Sequence, residues 1–169
     1  DTYTDSNSQD TNFADDQYIK ISGNDPIQRS FLKFNLNQIP SIADILDSRL
    51  NLTTSSSGGS FDVSLHNIST EIDTDLMTYN NQPVLDIDEF ITTSTGLVDI
   101  FDITALTQEW VTNSTSNRSL AVKVTDEAQP NNIEYYSRDS NNIANRPVLQ
   151  IKYESIIPDQ SWQVNSVLI

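Results

Sequence analysis

Apolar and polar residues alternate with period two in several short runs, the mark of strands with one buried face. In Ser30-Phe31-Leu32-Lys33-Phe34-Asn35-Leu36, the residues Leu32, Phe34 and Leu36 share one face and are expected to meet a core. Phe31, Lys33 and Asn35 share the other. The same alternation runs through Leu50–Leu52, Val63–Leu65, Leu120–Val124 and Val148–Tyr153. Turn-type clusters separate these runs: Gly23-Asn24-Asp25-Pro26, Ser55 to Gly59, Asn113 to Asn117, and Gln129-Pro130-Asn131-Asn132. Many short strands with polar turns predict an all-β chain, an antiparallel β-sandwich of jelly-roll type. One segment departs from period two. Ile103, Leu106, Trp110 and Val111 fall at helical spacing, and Asp102 or Thr104 can cap the start, so a short helix over 103–111 is expected to close one end of the sandwich. A second apolar patch, Leu76 to Tyr79, runs into Asn80-Asn81-Gln82-Pro83, where proline stops any regular element.

The chain has 169 residues, which suits one domain, and its lack of cysteine leaves the core to packing alone. Nine basic against twenty-four acidic residues give a net charge of −15. A field of that sign repels phosphate backbones and anionic lipid, so nucleic acid is excluded as a partner. Membrane insertion is excluded too, because no run approaches the roughly 18 apolar residues of a span. The abundance of Ser, Thr and Asn, with N-x-[ST] triplets at Asn51, Asn67, Asn113 and Asn117, points to an extracellular or cell-surface setting and to candidate glycan attachment.

Hydrolytic chemistry finds little support. A nucleophile–base pair needs a histidine, and His66 stands alone, on a strand face opposite Val63 and Leu65. Acid pairs such as Asp86, Asp88 and Glu89 arise by chance among so many carboxylates, so no enzyme is expected. The same acids suit calcium, which takes six to eight oxygen ligands along irregular loops. Asp15-Asp16 and Asp86-x-Asp88 are the main candidates, with Asp73-x-Asp75 and Asn24-Asp25 behind them, and a solvated acidic surface is the competing reading. Sugar rings require flat aromatic faces, with planar amides or guanidinium forks for the hydroxyls. Tyr79, Asn81, Gln82, Tyr136 and Arg138 offer them, although turn amides often satisfy backbone groups instead. Arg29 and Lys33 share the strand face opposite Leu32. They form either a cationic spot for uronic-acid carboxylates or cross-strand ion pairs. After Tyr153, Trp162, Val164, Ser166 and Leu168 alternate with Gln163, Asn165 and Val167. This predicts a strand that joins its own sheet or that of a neighbouring molecule, with a linker as the plain alternative.

A series of fragments in fixed order resembles the DNRLRE-domain family. It begins Asp1-Thr2-Tyr3, then Arg29 to Leu36 with Ile39-Pro40, then Ala43 to Leu52, and then Met77-Thr78-Tyr79-Asn80-Asn81-Gln82-Pro83. Phe101-Asp102-Ile103-Thr104 with Glu109-Trp110 follows, then Tyr136-Ser137-Arg138-Asp139, and last Arg146 to Tyr153. Tyr79 stands where that family usually has Trp, and Asp139 where it usually has Glu. The resemblance implies a β-sandwich accessory module of secreted or surface proteins, similar to carbohydrate-binding modules of alginate-active lyases and to domains of archaeal dispersal proteins. The expectation is therefore a domain over 1–153 with an extension over 154–169, acting as a non-catalytic extracellular carbohydrate-binding module, with calcium as its candidate stabilising cofactor and a polysaccharide or surface glycan as partner. Its alternative is a structural subunit of a surface layer or filament, self-associating through the C-terminal strand.

Overall fold

Alternating side chains become a fold only when their apolar faces meet, and here the sheet turns back on itself so that they do. The computed structural model describes residues 1–85, 89–113, 118–155 and 163–168. Among these, eleven strands and one α-helix appear in the order β1 (Thr2–Asp5), β2 (Tyr18–Ser22), β3 (Gln28–Lys33), β4 (Asp44–Ser57), β5 (Asp62–Ile68), β6 (Glu89–Thr93), β7 (Val98–Asp102), α1 (Thr104–Thr112), β8 (Ser119–Val124), β9 (Asn132–Tyr136), β10 (Val148–Ser155) and β11 (Gln163–Leu168). Every pairing is antiparallel. Hydrogen bonding runs continuously through β11-β10-β4-β9-β2-β3-β8-β5-β6, with β1 added to β3 and β7 to β4. The sheet curls into a half-barrel, the sandwich-like all-β arrangement that the alternation predicts.

β4 makes the corner. Its first part pairs with β10 and β7, and beyond a register shift between Thr54 and Ser56 its last residues pair with β9. An irregularity of this kind bends a strand and lets it serve both layers. Leu50 and Leu52 of β4 are fully buried with Ile19, Ile21, Leu65, Val122, Ile133, Leu149 and Ile151 in one continuous core. Leu32 and Leu36 join it, and Phe34 packs partly against it, as expected of that face. The helix begins one residue later than predicted and closes the core with Ile103, Leu106, Trp110 and Val111, all buried. Its start is held by Asp102, whose carboxylate accepts the Thr104 N–H at 3.0 Å and the Thr104 hydroxyl at 2.7 Å.

Two features depart from the simple picture. Phe31, on the face opposite Leu32, is fully buried as well, in a second cluster with Ile68, Ile72, Met77 and Ala121. The segment 69–85 lies over that face of β3, β8 and β5, so this part of the sheet is apolar on both sides. The C-terminal extension, moreover, is no linker in its described part: β11 pairs along β10 from Gln150↔Leu168 to Ser155↔Gln163 in the same chain. Trp162 lies outside the described residues.

Candidate functional site

The segment 69–85 has little regular structure, and side-chain amides hold its shape. Asn12 Nδ2 donates to the Thr74 and Met77 carbonyls at 2.9 and 2.7 Å. Asn81 closes a turn, accepting the Thr78 N–H at 2.7 Å and donating to the Leu76 carbonyl at 3.0 Å. Asn80 reaches Asp10 at 2.8 Å, and Gln82 Nε2 donates to the Tyr79 carbonyl at 3.0 Å. Buried Ile72 and Met77 are the apolar feet that plant this segment on Phe31.

Three of the cations singled out in the sequence converge on it. Arg29 points two guanidinium nitrogens at Glu127, Nε to Oε1 at 2.7 Å and Nη2 to Oε2 at 2.9 Å, and a third at Gln82 Oε1 at 3.4 Å. The Thr4 hydroxyl donates to the same Gln82 oxygen at 3.3 Å. The hydrogen bonds that Arg29 donates to the Glu127 carboxylate raise its pKa, so its charge is fixed. Lys33 donates to the Ile72 carbonyl at 3.2 Å and lies 3.6 Å from Glu71. Arg138 bonds Asp139 at 3.1 Å and Asp75 at 3.3 Å, while its backbone N–H meets Asp1. Arg29 and Glu127 side chains are each only about a fifth exposed, whereas Lys33 and Arg138 are 43% and 50% exposed. The last two therefore keep open atoms, whereas the guanidinium nitrogens of Arg29 are taken up by Glu127 and Gln82. Beside Lys33, a cavity of about 480 Å³ opens between Glu71, Ile72, Asp73 and Thr74. A smaller one, about 250 Å³, lies between Thr70, Leu76, Met77, Asn81 and Pro83.

Tyr136 lies elsewhere. It pairs across from Tyr18 on the β2–β9 face, with ring centroids 5.6 Å apart and planes tilted by 50°. Its neighbour Tyr135 is the inward residue, fully buried, donating its hydroxyl to the buried Asp99 carboxylate at 2.5 Å. Burial, followed by the charge of Asp99, drives the Tyr135 pKa well up.

The remaining candidates scatter. Asp15 is exposed, and Asp16 accepts the Tyr3 hydroxyl at 3.1 Å. Among the described residues no three metal-ligating side chains of the His, Cys, Asp or Glu type come together, and Asp86 and Asp88 lie outside those residues. His66 is buried on the sheet face, its Nε2 3.2 Å from the fully buried Ser64 hydroxyl. Asn51 sits within β4 between β7 and β10, and Asn67 within β5 opposite Leu120 of β8, both half-buried. Asn113 is exposed at the end of α1, and Asn117 lies outside the described residues.

Sequence reasoning missed Glu127 and Thr4, which meet Arg29 and Gln82 across long separations that no local pattern reports. It also passed over Lys123, whose place opposite Val122 in the alternation was legible. Lys123 is half-buried and donates to the Val124 and Thr125 carbonyls at 3.2 Å, with no carboxylate partner among the described residues.

A rigid β-scaffold that presents polar and aromatic groups in shallow hollows, with no helix among the described residues long and apolar enough to cross a membrane, has the form of a binding module. The chain matches the model of carbohydrate-binding module family 96 over residues 1–153 and belongs to that family. No curated protein matches it. The carbohydrate-binding module implied by the resemblance thus holds at the level of class.

Proposed function

We propose that this chain is a non-catalytic polysaccharide-binding module of an exported or cell-surface protein, within the DNRLRE-like group of such modules. The observation that carries the reading is the family match across residues 1–153. The ligand lies along the surface where segment 71–82 meets β3, using the exposed ammonium of Lys33 at the larger hollow, the half-buried ring of Tyr79, and the guanidinium of Arg138 beside Asp75. Uronate recognition through Arg29 is disfavoured, because Glu127 already fills its fork. Among the described sequons, Asn113 is the one whose exposure suits a glycosyl transferase. Pairing of β11 with β10 of the same chain argues against its donation to a neighbour, and leaves the outer edge of β11, last in the strand order, as the route for assembly by strand addition.

Affinity electrophoresis through gels cast with neutral or uronate polysaccharides tests this reading, run in calcium and in chelator, with reducing-end release measured in parallel. Retardation without release is the expected result, and a calcium requirement would place the cation in the binding-competent form. A chain that releases sugar, or one that every gel passes unretarded, would overturn it.

A further inference from the structure

The outer face of the β2–β9 pair carries a row of side chains that the surface above does not use. The register sets Tyr18 opposite Tyr136, Lys20 opposite Glu134 and Ser22 opposite Asn132. These alternate with Ile19, Ile21, Ile133 and Tyr135, which enter the core. At about 3.3 Å per residue the row extends roughly 13 Å, the length of a short oligosaccharide rather than a single ring. At its far end lies a cavity of about 400 Å³, lined by Lys20, Asp25, Gln28, Asn131, Asn132 and Glu134 among others.

Availability distinguishes this row. Around segment 69–85, Asn81, Gln82 and Arg29 spend their polar atoms on the protein itself. Along the β2–β9 row, the phenol groups of half-buried Tyr18 and Tyr136 and the side-chain amides of Asn131 and Asn132 have no hydrogen-bond partner among the described residues. The local charge is informative as well. Lys20 lies 3.3 Å from Glu134 and 5.5 Å over the Tyr3 ring, so its charge is already met, and Asp25 leaves the hollow with an acidic excess.

We propose that this row is a second carbohydrate-binding strip, which takes an uncharged, hydroxyl-rich oligosaccharide. The tilted Tyr18–Tyr136 pair supplies the surface for the C–H face of a sugar ring. The Asn131 and Asn132 amides, each both donor and acceptor, address its hydroxyls at the hollow. The acidic excess repels uronate chains and selects neutral ones. This rests on the polysaccharide-binding reading and extends it to a second face.

The experiment is affinity electrophoresis of the full chain in hydroxyethylcellulose, mannan, xylan and polygalacturonate gels. The variants are Tyr136→Ala, Tyr136→Phe and the exposed Asn132→Ala, with Lys152→Ala as a remote control. The strip predicts that Tyr136→Ala weakens retardation by a neutral polysaccharide about tenfold or more, that Tyr136→Phe, which keeps the ring and loses the hydroxyl, falls between Tyr136→Ala and wild type, and that Asn132→Ala weakens it without changing the thermal melt. Should Tyr136→Ala fail to fold, the Asn132→Ala result decides. If the wild type is retarded and the folded variants are retarded equally in every gel, the strip is overturned while the module reading stands. If no gel retards the wild type, both fall.

Discussion

The Arg29–Glu127 pair gives a direct measure of whether the candidate surface is built before ligand arrives. Its two parallel bonds, 2.7 and 2.9 Å long, join side chains that are 23% and 20% exposed. An exposed pair is worth about 0–1 kcal/mol, whereas truncating one partner of a fully buried pair costs about 3–5 kcal/mol. A bidentate pair at the observed depth falls between, and a coupling of about 1–2 kcal/mol is expected. Urea unfolding of wild type, Arg29→Met, Glu127→Gln and the double variant isolates that term. The losses of the two single variants should together exceed that of the double variant by this coupling, and glycan retardation by Arg29→Met should fall only as far as segment 71–82 loosens. A coupling below about 0.3 kcal/mol, together with loss of glycan retardation in a fully stable Arg29→Met protein, would refute the assignment and make Arg29 a direct ligand contact.

Other perturbations follow from the packing. Trp110→Ala should cost about 3–5 kcal/mol in urea melts, because the ring is 1% exposed where α1 closes the core, and an unmoved midpoint would contradict that burial. Gly23→Ala should lower the thermal midpoint, since a Cβ there meets the Gln129 carbonyl and the Glu127 backbone where Gly23 and Asn24 pin the β2–β3 turn to Asn131 and Glu127; wild-type melting would show that the turn has room. Asp102 has its pKa lowered, first by the Thr104 hydroxyl and then by the Thr104 N–H. Its contribution to stability is therefore fully present above the ordinary carboxylate value of about 3.9 and is lost as pH falls through the lower folded value. The stability gap between wild type and Asp102→Asn should accordingly be constant near neutrality and close below about pH 4, and a gap that widens in acid would reverse the sign.

Much of the scaffold was legible in residue order. The runs at 30–36, 63–65, 120–124 and 148–153 fall on β3, β5, β8 and β10, and helical spacing located α1, because each pattern depends on local geometry alone. The second cluster was not legible. Period two says that the two faces of a strand differ, not that a distant segment covers both, and the apolar members of the minor face, Phe31, Ile68 and Ala121, were the available clue. β7 defeats hydrophobicity outright, since Asp99 points inward to Tyr135 while Val98 and Ile100 stand 42% and 49% exposed. The residue types at the candidate surface were readable from their chemistry. Their partnerships were not, because Arg29 finds Glu127 across the β3–β8 pairing, in the turn that follows β8, at a separation of 98 residues. The amides of Asn81 and Gln82 closed local turns, the competing reading of that segment.

One property of the purified chain is decisive, its capacity to hold a polysaccharide without altering it. A glycan array probed with the folded chain, with an aliquot incubated with each bound glycan and assayed for new reducing ends, measures both parts together. Retention of at least one polysaccharide with an unchanged reducing-end count is the expected result. An array on which nothing is retained, or a retained glycan that shortens, would contradict it.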